Sequence, residues 1–276
     1  MASDVKSSDL LYISSSGNFD AVTVYSYPKI ELVGTLKGFN EPQGECVDRA
    51  GDVFVTNTND SDIVEYAHGG TSPTKTLSDS GYYPVGCAID PTTGNLGVTN
   101  IYSSGSGPGS VSIYKRARGL PATYRDPNIV AYYFCGYDDN GNLYLDGANA
   151  SGFAFAELPN GSNTFVNITL NQTIYFPGGV QWDGSDVAVG DQEADDTDTS
   201  AIYQFAISGD TGTEVGETPL TGAIDVVQFW IQGGRVIGPD AGNNDVGIWT
   251  YPSGRAVNRF TGVNVPVGSV VSEARK

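Results

Sequence analysis

Positive charge is scarce in this chain of 276 residues. Fourteen Lys and Arg stand against 32 Asp and Glu, a formal net charge of −18, so nucleic-acid backbones and anionic lipid surfaces are repelled and excluded as partners. Long apolar runs are missing as well. Nothing approaches the roughly 20 residues of a membrane-spanning helix, and Met1-Ala2-Ser3-Asp4 has neither the basic start nor the apolar stretch of a signal peptide. Membrane insertion is not expected. Unbroken stretches are short because 36 Gly and 14 Pro punctuate the chain, and the longest, residues 191–208, opens with polar residues that lack helical apolar spacing. There is one histidine, and no Gly-x-Ser-x-Gly elbow, phosphate loop or His-Glu-x-x-His, which removes the common nucleophile, nucleotide and zinc-protease motifs.

What remains is enough to build a core: 39% hydrophobic and 11% aromatic residues against 17% charged. Short β-branched or aromatic runs such as Val53-Phe54-Val55, Leu143-Tyr144-Leu145, Ile202-Tyr203-Gln204-Phe205 and Val246-Gly247-Ile248-Trp249 are bounded by Gly, Asn and Asp, as strands require. They recur. Segments 42–48, 84–90, 132–138, 177–183, 224–230 and 266–272 align, and their last residues lie 42, 48, 45, 47 and 42 positions apart, the length of a four-stranded propeller blade. In each repeat a first strand (a) is followed by a tight Gly-Asp or Gly-Asn turn and a second strand (b), as at Gly51-Asp52 and Gly141-Asn142. A third strand (c) and a weaker outer one (d) complete the blade.

The sixth repeat stops at strand a, and the N-terminus holds b, c and d with no a before them, at Leu10-Leu11-Tyr12-Ile13, Val22-Thr23-Val24-Tyr25 and Leu32-Val33-Gly34-Thr35. One blade built from both chain ends would close the ring and remove two exposed sheet edges. The reading is therefore an all-β, six-bladed β-propeller with four-stranded antiparallel blades. It forms a single domain over 1–276, with blades at approximately 10–41 plus 266–274, 42–83, 84–131, 132–176, 177–223 and 224–265.

The order Pro-x-Gly, apolar strand, Asp, Gly-Asn, second apolar strand resembles the six-bladed NHL-type and gluconolactonase-like propellers across residues 10–272. That resemblance implies protein-binding platforms, metal-dependent lactonases or lyases. Two departures bear on the catalytic members. The metal-binding Glu that the lactonase start implies has its nearest match in Gln43-Gly44-Glu45-Cys46-Val47-Asp48, in another register. Lyase relatives use histidine, and His68 ends a strand c, toward the other face.

Binding residues of a propeller collect where the d-to-a and b-to-c connections emerge. Here the d-to-a connections carry Phe39, Tyr82, Tyr83, Tyr132, Tyr133, Tyr175, Phe176 and Asp225, and strand b closes on Asn57, Asn100, Asp191 and Asp240. Such a mouth suits a small molecule, a carbohydrate, a cation or a peptide or protein; equally, the rings could seal blade to blade while Asn and Asp make turns. Glu45 aligns with small or apolar residues, so its slot is read as buried near the axis. There it could ligate a cation, act as a general base, or accept bonds from strand-end amides. The run Asp191, Glu193, Asp195, Asp196, Asp198 offers oxygens for Ca²⁺ but has no EF-hand spacing, and without a cation it is a solvated loop.

Three cysteines cannot all pair. Cys87 and Cys135 share one register and Cys46 falls one residue later, on the other face of its strand; with inner strands of different blades expected to lie too far apart for the roughly 7 Å that a disulfide allows, all three are read as buried free thiols. The expected protein is an extracellular or periplasmic monomer that binds a ligand or protein without catalysis and requires no cofactor. The competing expectation is a metal-dependent, lactonase-like hydrolase or a lyase, with Glu45, Asn57, Asn100, Asp191 and Asp240 around an axial cation.

Overall fold

In the computed structural model, which describes residues 5–17 and 19–275, six sheets stand in a ring as a six-bladed β-propeller. The Met1-Ala2-Ser3-Asp4 start lies outside the described residues. Blade 1 runs, from axis to rim, β25 (Pro266–Ser272), β1 (Leu10–Ser15), β2 (Ala21–Ser26) and β3 (Glu31–Lys37). Blade 2 is β4 (Pro42–Val47), β5 (Val53–Asn57), β6 (Asp62–Tyr66) and β7 (Lys75–Ser78). Blade 3 is β8 (Tyr82–Ile89), β9 (Leu96–Ser103), β10 (Gly107–Tyr114) and β11 (Ala122–Tyr124). Blade 4 is β12 (Ala131–Tyr137), β13 (Leu143–Asn149), β14 (Gly152–Leu158) and β15 (Val166–Asn167). Blade 5 has β17 (Pro177–Trp182), β18 (Val187–Asp191), β19 (Ala201–Ser208) and β20 (Thr211–Pro219), with a fifth, parallel strand β16 (Thr169–Leu170) on β20. Blade 6 is β21 (Trp230–Gln232), β22 (Arg235–Asp240), β23 (Asp245–Thr250) and β24 (Ala256–Phe260).

The two chain ends close the ring as the repeat arithmetic requires: β25 lies antiparallel to β1, with Val270 opposite Tyr12 and Val271 opposite Leu11. His68 adds to this closure from blade 2, its two ring nitrogens at 2.6 Å from Ser272 Oγ and 3.1 Å from the Ser8 carbonyl.

The apolar core is divided into six clusters, each between two neighbouring blades. Leu10, Tyr12 and Val24 of blade 1 meet Val53, Val55 and Tyr66 of blade 2, for example, and Ala188 and Ile202 of blade 5 meet Val236 and Trp249 of blade 6. A strand packed on both faces has no wet side, which is why β1 and β5 are buried along their whole length. Each large ring sealed in this way, such as Tyr12 or Trp249, contributes on the order of 2–3 kcal/mol of burial.

One irregularity repeats around the axis. In every blade the strand-a residue opposite the end of strand b is followed by a single-residue bulge: Pro42 faces Asn57 while Glu45 faces Val55, and Pro177 faces Asp191 while Val180 faces Val189. The Pro-x-Gly signature belongs to this bulge. Proline opens the strand where no donor is needed, and the glycine stands where neighbouring inner strands converge. A Cβ on Gly44 would lie 2.4 Å from the Val85 carbonyl oxygen, and one on Gly86 would lie 2.6 Å from that of Tyr133.

Two expectations are corrected. The sequence aligns Ile224 with those prolines, but in blade 6 a lone bridge joins Val226 to Asp240 and the regular strand begins only at Trp230. The register is therefore shifted by two, and Phe229 rather than Val227 takes the position of Glu45. Blade 6 lacks the Pro-x-Gly that would have marked it. The second correction is a disulfide, Cys46–Cys87, with Cα atoms 5.7 Å apart; Cys135 is a buried free thiol. Inner strands converge close enough for a bridge, and opposite pointing is what permits it. Blades 2 and 3 face each other, so a side chain on one face of β4 meets one on the opposing face of β8.

Candidate functional site

The wheel has two ends, and the candidate residues divide between them. At the end where the d-to-a and b-to-c connections emerge, the residues closing strand b are buried and engaged within their own blades. Asp240 accepts the backbone N–H groups of Ile224 (3.2 Å), Asp225 (3.1 Å) and Asn243 (3.1 Å), and the Arg259 guanidinium bridges it to Asp245. Asp191 accepts N–H bonds from Tyr175 (2.9 Å), Phe176 (3.0 Å) and Glu193 (3.1 Å). Asn57 accepts the Asn40 N–H at 2.6 Å and donates to Asp60 and Asp62, and Asn100 donates to Ser110 and Ser112. In three blades, then, the same position ties the incoming d-to-a loop to the end of strand b. The free amides of a loop without a ladder converge on one oxygen-bearing side chain.

Around these anchors the face is apolar and acidic. Among the exposed large hydrophobic residues, Phe19, Tyr102, Val130, Tyr175, Phe176, Ile224 and Val265 all belong to this end, whereas Leu32, Leu120, Val215 and Val257 are scattered over outer strands and the far turns. Tyr133 packs edge-on against Phe176, with ring centroids 5.8 Å apart, and Tyr83 is half-buried at the start of β8. An open groove of about 590 Å³ runs from Asn149 to Tyr175 over Phe153, Ile168 and Ile174. Asp225 is half-buried in the loop entering blade 6, and burial, then the nearby Asp240 and Glu193 charges, push its carboxyl up.

The acidic run does not gather. Asp191 is held by the amides above, while Glu193, Asp195, Asp196 and Asp198 are exposed on a short 3-10 turn in which Asp195 and Asp196 have left-handed backbone. Among the described residues no three His, Cys, Asp or Glu side chains converge to hold a metal. Asn57, Asn100, Asp191 and Asp240 are hydrogen-bonded at the end of the wheel where the d-to-a loops enter, and none lines the cavity that Glu45 lines.

That cavity lies on the axis toward the opposite end, where strands a run into their turns to strands b. It measures about 220 Å³. Its inner end is formed at the register of Glu45, Cys87, Cys135, Val180 and Phe229; Val47, Ile89, Tyr137 and Trp182 line it two positions further on, with Trp230 beside them. Trp182 donates its indole N–H to Asp139 at 3.0 Å. The Glu45 backbone is clipped by the Gln228 side chain, which accepts its N–H at 2.9 Å and donates to its carbonyl at 2.8 Å, reaching past blade 1 from blade 6. The Glu45 carboxyl itself is fully buried with neither oxygen hydrogen-bonded, and burial alone pushes it well above the usual carboxylate range.

A second buried acid has the same character. In blades 1, 2 and 3 the strand-b residue just before the one opposite the start of strand a is Ser14, Thr56 or Thr99, whose hydroxyl donates to a carbonyl of the neighbouring blade's inner strand. Blade 4 has Asp146 there; it accepts the Phe134 N–H at 2.7 Å, its other oxygen is unpartnered, and burial holds it well above the ordinary value. Sequence reasoning placed Glu45 near the axis but missed Asp146, Tyr137, Trp182 and Trp230. The available signal was their spacing from the Glu45 register in the aligned repeats.

No protein-family model matches the chain, and no curated protein matches it. Solved structures do. A chain in the crystal structure of a nidogen–laminin complex superposes with a TM-score of 0.76 at 13% identity, covering 97% of this chain and 100% of its own. A protein of unknown function from Bacteroides caccae gives 0.72 at 14% identity, covering 96% and 99%. At these identities the likeness establishes the six-bladed fold alone.

Proposed function

We propose that this chain is a non-enzymatic, extracellular or periplasmic binding propeller of NHL-type kinship, acting as a monomer. Its d-to-a and b-to-c face receives a protein or peptide partner with apolar and basic side chains. The observation that carries this reading is the concentration of exposed rings and aliphatic side chains on that one face, around Tyr102, Tyr175, Phe176 and Ile224. Exposed apolar groups gathered at one end of a monomer mark an interaction surface, and the surrounding Glu41, Glu193, Asp195, Asp196 and Asp225 favour a basic partner. The groove leading to Tyr175 supplies the concavity that an extended segment needs. The nidogen–laminin assembly supports the reading by analogy of fold, as a protein–protein complex containing such a propeller. The Cys46–Cys87 disulfide supports an oxidising compartment.

Selection of peptides from a random displayed library tests this. The expected winners carry Lys or Arg beside aromatic or aliphatic residues, bind less tightly as salt is raised, and lose roughly tenfold or more in affinity to a Tyr102→Ser, Tyr175→Ser, Phe176→Ser triple variant. Peptides that bind the triple variant as well as the native chain would place the interaction elsewhere and sink the reading.

A further inference from the structure

Blade 4 has the shortest outer strand of the six, and it leaves a strand edge open. β14 runs for seven residues, yet β15 pairs only with its Ala156 and Glu157. The chain then changes sheets. The Ile168 N–H still reaches the Phe155 carbonyl at 2.9 Å, but the Thr169 N–H goes to the Asp210 carbonyl of blade 5, also at 2.9 Å, and the chain continues as β16 against β20. Above that stitch β14 has no outer neighbour. Phe153 stands opposite Ala148 of β13, whose carbonyl accepts the Val130 N–H at 2.9 Å on its other side. By the alternation of an antiparallel ladder, Phe153 therefore turns its N–H and C=O outward, in step with Phe155. Among the described residues neither group meets a partner. Blade 3 shows how a similar stretch is closed. There β11 pairs only with Val111, Ser112 and Ile113 of the eight-residue β10, but Pro108 carries no N–H and the Gly109 N–H is taken by the Val130 carbonyl at 2.8 Å. Phe153 has neither protection.

The open edge lines the groove of about 590 Å³ that ends at Tyr175. The half-buried Phe153 ring stacks on Phe155, with centroids 6.4 Å apart, and Phe155 stacks on Tyr144, so a fixed apolar surface meets one face of any strand laid against β14. No charged side chain lines the groove. Burial, and after it the Glu217, Asp195 and Asp191 charges, push the Tyr203 hydroxyl up to about 12 against its hydrogen bond with Gln172, which lines the blade 5 wall. The acidic turn of blade 5 is thus within electrostatic reach of the groove. A small apolar molecule would cover Phe153 and leave its amide and carbonyl unpaired, at a cost. An extended main chain brings a donor and an acceptor at the spacing that a strand edge requires. We propose, resting on the face reading above, that an uncharged extended stretch of the protein partner docks in this groove as an added outer strand of blade 4. Its main chain pairs with Phe153, and a Lys or Arg beside that stretch faces the acidic turn of blade 5. The net charge of −18 opposes a second copy of the chain in the same place.

The test uses the native chain and a displayed library of eight-residue peptides, whose winners are synthesised and followed by affinity titration and amide hydrogen exchange. In the free chain the Phe153 amide is expected to exchange faster than those of Ala154 and Ala156, which pair with β13. Saturation with a winner should slow it by about tenfold or more. Methylating the peptide's main-chain nitrogens one at a time should cost about tenfold at the single residue opposite Phe153 and little at its neighbours. Phe153→Pro, which an edge with an outward N–H tolerates, should lose about tenfold more affinity than Phe153→Ala, which keeps the amide. If Phe153→Pro does not fold, the methylation series on the native chain decides. Winners that bind the Tyr102→Ser, Tyr175→Ser, Phe176→Ser variant undiminished would remove the face reading and the added strand with it. Winners that lose affinity to that variant, yet tolerate methylation at every position and leave Phe153 exchange unchanged, would keep the face reading and overturn the added strand. Slowing of Phe153 that grows with the chain's own concentration, without peptide, would put a second copy there and overturn it too, as would a library with no winner.

Discussion

Asp240 and Glu45 are equally buried, each with no exposed surface, and are opposite in chemistry. Asp240 sits where a d-to-a loop folds back over the end of strand b. There the amides of Ile224, Asp225 and Asn243 have no ladder partner and converge on its oxygens, with Arg259 alongside. Glu45 sits in the middle of an inner strand whose amides are already used in pairing with β5 and with Gln228, so none is left for its side chain. Burial by itself therefore says little about what an acid does. The supply of free donors around it decides between a structural anchor and a carboxyl left without a hydrogen-bond partner.

The largest expected effect tests the anchor. Asp240→Ala strips the acceptor from three amides and leaves Arg259 facing Asp245 alone, which should cost about 3–5 kcal/mol in urea unfolding. A loss no greater than that of an exposed substitution would erase the contrast with Glu45. Next comes the cavity's own reinforcement. Replacing both Cys46 and Cys87 with Ser removes a link that spans a sequence separation of 41, with an expected loss of about 2–4 kcal/mol by the same assay, while an unchanged midpoint would mean that the bridge does not form.

Glu45, with neither oxygen partnered, and Asp146, with one, are expected to behave in the reverse sense to Asp240. Their folded pKa values are raised, so the folded chain binds more protons than the unfolded one above the ordinary carboxylate pKa. Native stability then falls as pH rises from that value toward the raised one, by up to about 1.4 kcal/mol per pH unit for each group. Glu45→Gln and Asp146→Asn should each flatten that fall, so their stability relative to the native chain grows between pH 5 and pH 8. A constant difference across the range would show that these carboxyls titrate normally and that the comparison is false. The smallest effect is expected at the exposed rings: Tyr175→Ser should change stability by no more than about 0.5 kcal/mol while weakening the selected peptides. A large loss would mean that the ring is part of the packing.

Much of the wheel was legible. The spacing of the repeats, the lone inner strand at the C-terminal end and the three strands at the N-terminal end led to the pairing of Val270 with Tyr12; strand b closes as read at Asn57, Asp191 and Asp240, whereas β9 runs past Asn100 to Ser103. Blade 6 was misaligned by two: its inner strand, like that of blade 4, lacks the Pro-x-Gly that marks the bulge in the other four blades, and its regular pairing begins only at Trp230. The disulfide was missed because the inner strands of two blades were expected to stand too far apart and alternation was reckoned within one sheet, whereas the two sulfurs belong to facing sheets with Cα atoms 5.7 Å apart.

Local pattern determined the strands, their order, the closure and the burial of Glu45, because these follow from periodicities of two residues and of some 40 that a chain carries in its own text. Which side chains meet across the axis was decided only by the closed ring. Contacts such as Gln228 with Glu45, Cys46 with Cys87, and the convergence of Trp182 and Trp230 on one cavity join blades far apart along the chain. Their geometry depends on how closely six inner strands approach one another, a distance set by the whole ring.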